Sequence, residues 1–275
     1  RLSAPLAISG ASVTIYSLLD KLMIGYFQGA SPVGIYSIAR NLLETSLFPT
    51  FALVMTLRPA LAGAWAAGDG DRCRYLVRRS LMDSFFYATC VILVFGCLSG
   101  PLVTGIFSDR FAESARILVI FLPLIMMRSL GSVILPGLIA ADRAGTYARL
   151  TLAGAALNFI LNILLIPEWG AEGAVVSTLV SYMPIEVLGL RALWKAMPGF
   201  WKMTDWVRVA KGLGVAAAIA AAHRYLAPPA GSLLTAVIHA AAITAVYTAL
   251  VIATGALSRS EFASMLGPVL RRRGR

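Results

Sequence analysis

Among the ionisable side chains inside the long apolar stretches of this 275-residue chain, six are the leading candidates for chemistry: Asp20, Lys21, Arg40, Glu44, Arg128 and Glu186. An ionised group in hydrocarbon costs roughly 2.5–3.5 kcal/mol on insertion scales, so each such residue needs a partner, an aqueous cavity or a task. Arginine presents fixed planar donors that match phosphate oxygens, which makes Arg40 and Arg128 candidates for binding an anionic cargo. The carboxylates Asp20, Glu44 and Glu186 are candidates for carrying a coupling proton or sodium ion. A structural role competes with both, because Asp20, Arg40 and Glu44 can neutralise one another as an internal pair that locks two helices. Lys21 is long enough to snorkel and Arg58 lies near one face, so both are weaker candidates.

Spacing sets the depth of these groups. Asp20 precedes Gln28 by eight residues and Arg40 follows Pro32 by eight, so at 1.5 Å rise both lie about 12 Å from the same surface, across a short turn at Gln28-Gly29-Ala30-Ser31-Pro32. Glu44 follows Arg40 by four, on the same helical face. Arg128 lies twelve residues beyond Arg116, about 18 Å along its helix and close to the midplane. Glu186, two residues after Pro184, is similarly deep. Asn158 and Asn162, four apart, put two amides on one face, suited to interhelical hydrogen bonding or to lining a cavity. His239 reads as a packing residue and His223 lies at an outer end.

The elements that must hold these residues are transmembrane helices. Apolar stretches run over Ala4–Phe27, Val33–Leu61, Leu81–Leu98, Ala115–Ala141, Leu150–Ile166, Ala171–Leu193, Val207–Leu226 and Leu233–Ala256, each near the ~20 residues that a hydrocarbon core requires. With 59% hydrophobic and 13% charged residues, a soluble fold would need eight consecutive helices apolar all round. The segments are too long and too weakly alternating for barrel strands. The expected class is all-α and polytopic, with eight transmembrane helices: a six-helix lobe over residues 1–198 and a two-helix extension over 199–275. The basic and aromatic gap from Ala196 to Trp206 marks the boundary.

Charge supplies direction. Alternate gaps hold Arg72, Arg74, Arg78 and Arg79; Arg143 and Arg149; Arg191, Lys195, Lys202, Arg208 and Lys211; and Arg259, Arg271, Arg272, Arg273 and Arg275, while the intervening gaps hold Arg110, Arg116 and Arg224. By the positive-inside rule both chain ends are expected in the cytoplasm. The net charge of +11 then reflects topology and anionic lipid rather than nucleic acid. Cys73, Cys90 and Cys97 show no metal-ligand spacing and are read as packing residues. Prolines at 49, 59, 123, 136 and 184 predict kinks. The chain opens on Arg1 and enters a span directly, as expected of the C-terminal part of something larger. It carries no His-Glu-x-x-His, Gly-x-Ser-x-Gly, Walker loop or Gly-x-Gly-x-x-Gly, so neither an enzyme nor a bound cofactor or metal is expected.

Two segments carry a resemblance. Asp20-Lys21-Leu22-Met23-Ile24-Gly25-Tyr26-Phe27, continuing through Val33-Gly34-Ile35-Tyr36-Ser37-Ile38-Ala39, resembles the seventh and eighth helices of bacterial polysaccharide flippases, the O-antigen and exopolysaccharide translocases. Asn158-Phe159-Ile160-Leu161-Asn162-Ile163-Leu164-Leu165-Ile166-Pro167, then Gly170-Ala171-Glu172-Gly173-Ala174, resembles their eleventh helix, outer turn and twelfth helix. These belong to the multidrug/oligosaccharidyl-lipid/polysaccharide exporter superfamily. The resemblance implies the second of two six-helix lobes, rocking by alternating access in the bacterial inner membrane. The cargo it implies is a polyprenyl-pyrophosphate-linked oligosaccharide moved from the cytoplasmic to the outer leaflet. The implied partners are that lipid-linked oligosaccharide, membrane lipid, the N-terminal lobe of the same protein and polysaccharide assembly proteins. Arg40 and Arg128 then become the candidate contacts for pyrophosphate or acidic sugar. A lipid II flippase, a drug or cation antiporter of the same superfamily and a membrane-embedded glycan polymerase remain alternatives.

Overall fold

A backbone that must satisfy its own polar groups in lipid can form helices or a closed barrel. The computed structural model describes residues 18–258 and residue 261, and every regular element among the described residues is helical. The opening helix α1 is seen over 18–28. It is followed by α2 (Ala30–Ser46), α3 (Phe48–Ala66), α4 (Gly70–Phe107), a 3-10 turn at Asp109–Phe111, α5 (Glu113–Ala140), α6 (Ala144–Ala196), α7 (Met203–Leu226) and α8 (Leu233–Ala253). The first residues of the expected span Ala4–Phe27, together with Arg259 and the basic tail at Arg271, Arg272, Arg273 and Arg275, lie outside the described residues.

Five helices among the described residues are long and apolar enough to cross a membrane, with Ala30–Ala66 and Ala144–Ala196 each counted as one. α7, whose first turns carry Asp205, Arg208 and Lys211, is not among the five. Several element boundaries differ from those expected. The turn after α1 contracts to Gly29, whose φ of 87° lies in the region that favours glycine. The run Val33–Leu61 bends at Leu47, and Pro49 falls in the first turn of α3, where its missing N–H leaves no bond unmade. α4 extends well past Leu81–Leu98 at both ends; its 38 residues span about 57 Å, far more than a hydrocarbon core. Arg72, Arg74, Arg78 and Arg79 therefore ride on helix rather than loop.

The 53 residues of α6 do not run straight. Asn162 and Thr178 both donate to the carboxylate of Asp20, at 2.7 and 3.2 Å. Sixteen residues apart, they would be separated by about 24 Å along an unbroken helix. The reversal is at Gly170, the one residue inside α6 with non-helical angles (φ 55°, ψ −130°), and both side chains stand eight residues from it. Gly173 completes the turn: a Cβ there would meet the Leu165 carbonyl oxygen at 2.4 Å.

The bundle has two chemically distinct ends. Buried Leu61, Val77, Leu138 and Leu193 join the end of α3, the start of α4, the end of α5 and the end of α6. The basic segments around residues 72–79, 143 and 191–211 thus gather at one end. At the opposite end Gln28 Nε2 donates to the Pro167 carbonyl at 3.0 Å, and Arg116 pairs with Glu172 at 3.0 Å. α7 and α8 pack on α4 and on each other. Arg78 clamps the fully buried Asp205 through bonds of 2.6, 2.7 and 2.9 Å, while Asp205 also accepts from the Lys202 backbone N–H at 2.8 Å. Arg208 pairs with Glu261 at 2.5 Å, and Lys211 donates to the Thr254 carbonyl.

Gly173→Ala in the full-length protein should lower the thermal unfolding midpoint by the equivalent of about 1–3 kcal/mol of overpacking. Gly145→Ala, where nothing lies within 4 Å of the added Cβ, should leave it unchanged or raise it. Equal behaviour of the two in heated, detergent-solubilised samples would refute the tight turn at Gly170.

Candidate functional site

The site begins with a helical ladder on α2. Tyr36, Arg40 and Glu44 recur every fourth residue and project on one face, toward Asp20 on α1, Arg128 on α5 and the two limbs of α6. Asp20 has no exposed surface and accepts three hydrogen bonds: from Tyr36 Oη at 2.6 Å, Asn162 Nδ2 at 2.7 Å and Thr178 Oγ1 at 3.2 Å. Thr178 has one proton and a second acceptor, the Ala174 carbonyl at 2.9 Å, so its bond to Asp20 is in competition. Arg40 Nη1 lies 3.9 Å from Asp20 Oδ2 and 3.5 Å from Tyr36 Oη, and its Nε donates to Glu44 Oε1 at 3.1 Å. Its guanidinium also stands 5.9 Å from the centroid of Phe121.

Glu44 Oε1 is shared. It accepts from Arg128 Nη1 as well as from Arg40 Nε, so Asp20, Arg40, Glu44 and Arg128 form one chain of alternating sign across three helices. The two arginines differ in access. Arg40 is 2% exposed, whereas Arg128 is 14% exposed and Glu44 35%. Arg128 opens onto a cavity of about 180 Å³ together with Arg58, Thr50, Tyr147, Tyr182 and Glu186.

The residues singled out in the sequence largely meet. Asp20, Arg40, Glu44, Arg128 and Asn162 are joined directly, and Asn158 joins through its Oδ1, which accepts from Asn162 Nδ2 at 3.2 Å. Glu186 stands apart from that chain but shares the Arg128 cavity. Its carboxylate occupies the space where a Cβ on residue 131 would fall, 2.3 Å away, which explains Gly131 on the facing helix. Glu186 Oε2 and Asn162 Oδ1 are buried with no hydrogen-bond partner among the described residues. Lys21 takes no part in the chain of ion pairs.

Two contributors, Tyr36 and Thr178, had not been singled out for the site, and a third, Arg58, is one of the weaker candidates of the sequence. Tyr36 is one turn before Arg40, a spacing that places it on the same face. Thr178 is as far past Gly170 as Asn162 is before it. Arg58 reaches the Arg128 cavity because α3 bends away from α2 at Leu47.

Asp20, Tyr36, Arg40, Glu44, Arg128, Asn158 and Asn162 lie within the part of the chain that the MatE family pattern matches, residues 5–164, and Thr178 and Glu186 lie beyond it. The chain belongs to the MatE family. Its family relatives include the probable low-salt glycan biosynthesis flippase Agl15 of Haloferax volcanii, 25% identical over 66% of this chain and 38% of that protein. The probable flippase AglR of the same organism is 26% identical over 66% of this chain and 39% of its own length. An uncharacterized membrane protein of Methanocaldococcus jannaschii, MJ1068, is 24% identical over 74% of this chain and 40% of its own length. The chain thus spans about two fifths of the length of these relatives. Among solved structures, the inward closed conformation of the lipid II flippase MurJ matches with a TM-score of 0.65 at 14% identity, covering 91% of this chain and 52% of MurJ. That match shows a shared fold. The sequence resemblance to flippases of glycan synthesis is therefore matched by relatives bearing that name.

Burial separates the two arginines in a testable way. Arg40→Ala strands buried Asp20 without its cation, a change that costs about 3–5 kcal/mol for buried pairs; it should cut membrane abundance and lower the melting temperature. Arg128→Ala should leave both near those of the parent. Equal losses in the two variants, measured by immunoblot and thermal scan, would contradict this division.

Proposed function

We propose that the chain is the second lobe of a transporter that moves a polyprenyl-pyrophosphate-linked oligosaccharide from the cytoplasmic to the outer leaflet. Counting α1, the bent α2–α3 pair, α4, α5, both limbs of α6, α7 and α8, it crosses the membrane eight times, with residues 1–198 as the lobe and 199–275 as an appended hairpin. Both chain ends face the cytoplasm in this reading. The membrane is a bacterial inner membrane or its archaeal counterpart, since the relatives named above are from Haloferax and Methanocaldococcus.

The observation that carries the proposal is Arg128: a guanidinium deep among apolar helices, held in place by Glu44 and open to a cavity. Such a donor suits phosphate oxygens and disfavours organic cations, which sets the flippase above the antiporter of the same superfamily. Arg40, enclosed behind Glu44, acts as a positioning residue: it holds the same carboxylate oxygen, Oε1, that aims Arg128.

Energy coupling is assigned to Asp20. Its buried carboxylate, which accepts from Tyr36, Asn162 and Thr178, is a group that a proton or a sodium ion can join, with Arg40 as the counter-charge when no ion is bound. Asn158 lines the same group, and Glu186 is a second carboxylate on the cavity side.

Export of the glycan in cells carrying full-length Arg128→Ala should fall at least tenfold, the loss expected for a charge-assisted contact, with protein abundance unchanged. Dependence of transport on pH or sodium should disappear in Asp20→Asn and persist in Glu186→Gln. Full export by Arg128→Ala would remove the cargo assignment, and an unaltered ion dependence in Asp20→Asn would remove the coupling assignment.

A further inference from the structure

The joint between α2 and α3 is held by hydroxyl groups. Leu47 N–H turns back to the Glu44 carbonyl at 3.2 Å and Thr50 N–H to the Leu47 carbonyl at 3.0 Å, each one residue short of the regular helical spacing. Two carbonyls thereby lose their usual donors, those of Leu43 and Ser46. Ser46 Oγ donates to the first at 2.7 Å, and Tyr87 Oη, from α4, donates to the second. Thr50 Oγ1 adds a bond of 2.5 Å to the Leu47 carbonyl. Pro49 has no N–H to give the Thr45 carbonyl, so no state of this joint is a regular helix.

Of these bonds, that of Tyr87 alone comes from another helix, and its anchor is firm. α4 is clamped to α7 by Arg78 and Asp205, and α7 to the end of α8 by Arg208 and Lys211. The joint is close to the site: Ser46 is two residues past Glu44, and Leu47, Thr50, Phe51, Val54 and Arg58 form one wall of the Arg128 cavity. Space is available on the other side, where Ser46, Tyr87 and Tyr247 line an apolar groove of about 380 Å³ between α4 and α8. An unpaired carbonyl is expensive in lipid. If Tyr87 lets go, the Ser46 carbonyl must take back the Thr50 N–H, the donor that an unbroken helix would supply, and the bend must open out.

We propose that Tyr87 is the positioning residue of a two-state joint: its hydroxyl holds α3 at an angle to α2, and exchange of the Ser46 carbonyl from Tyr87 Oη to Thr50 N–H swings the cavity wall toward the line of α2. Movement of the block made by α4, α7 and α8 is thereby passed to the segment carrying Arg40 and Glu44. The inference goes beyond the cargo and coupling assignments and needs neither.

Spin labels at Gly63 and Gly145 of the full-length protein in nanodiscs test this, since both positions have open space for a side chain. Gly63 lies sixteen residues past Leu47, so a change of about ten degrees in the bend moves it by about 4 Å. Tyr87→Phe removes one hydrogen bond from the bent state and should raise the population of a second label distance about three- to tenfold. Pro49→Ala, which gives the Thr45 carbonyl a donor, should shift the distances the same way. Tyr247→Phe, in the same groove but with a hydroxyl not bonded to the joint, should leave them as in the parent. Parental distances in Tyr87→Phe overturn the proposal whether or not its melting temperature falls, a fall making Tyr87 a source of stability only. An equal shift in Tyr247→Phe overturns it as well, and so does an absent or opposite response to Pro49→Ala. Cargo takes no part in the measurement, so the proposal and the flippase reading can fail separately.

Discussion

One oxygen atom ties the site together. Glu44 Oε1 accepts from Arg40 on its own helix and from Arg128 on α5, and Arg40 in turn leans on Asp20. Hydrophobic burial offers no drive for helix association in lipid, so packing detail and polar contacts between helices carry it. A run of four alternating charges satisfies that need while leaving its outer member open to a ligand. The buried end of the run is costly to disturb, and the open end is free to exchange partners. Two sites joined through one shared acceptor are thermodynamically coupled, and such coupling acts equally in both directions.

The architecture around the run serves it. α1 and α2 form a hairpin about Gly29, and α6 forms another about Gly170, and both turns lie at the same end of the bundle. Asp20 and Tyr36 stand nine and seven residues from Gly29, and Asn162 and Thr178 each eight from Gly170, which brings the four to similar depth. The convergence therefore follows from the rise of the helix and the positions of two glycines. The bend at Leu47 then turns α3 so that Arg58 lines the cavity Arg128 occupies.

Much of this could be read before any coordinates. The equal depth of Asp20 and Arg40 follows from counting residues to a turn, and the pair indeed meets. The all-helical class and the membership of a transporter superfamily follow from apolar length and two local patterns. What eluded the reading depends on how helices rotate about their axes. Nothing in the spacing of Arg128 shows that it would face Glu44 across α2 and α5. Asp205, counted among a basic and aromatic gap, is instead sealed beneath Arg78. The apolar stretch of α4 stops at Leu98 while its helix continues to Phe107, because Ser99, Gly100 and Pro101 end a hydropathy window without ending the helix.

The clamp of Arg78 on Asp205 has a mechanical consequence. Three short bonds at a fully covered carboxylate, backed by the close approach of Gly212 to Phe86, make α4 and α7 stiff against sliding. The Arg208 and Lys211 contacts extend that stiffness to the far end of α8. A tilt of α4 is therefore transmitted to both following helices as by a solid lever, and the hinge of any such motion must lie elsewhere in the chain.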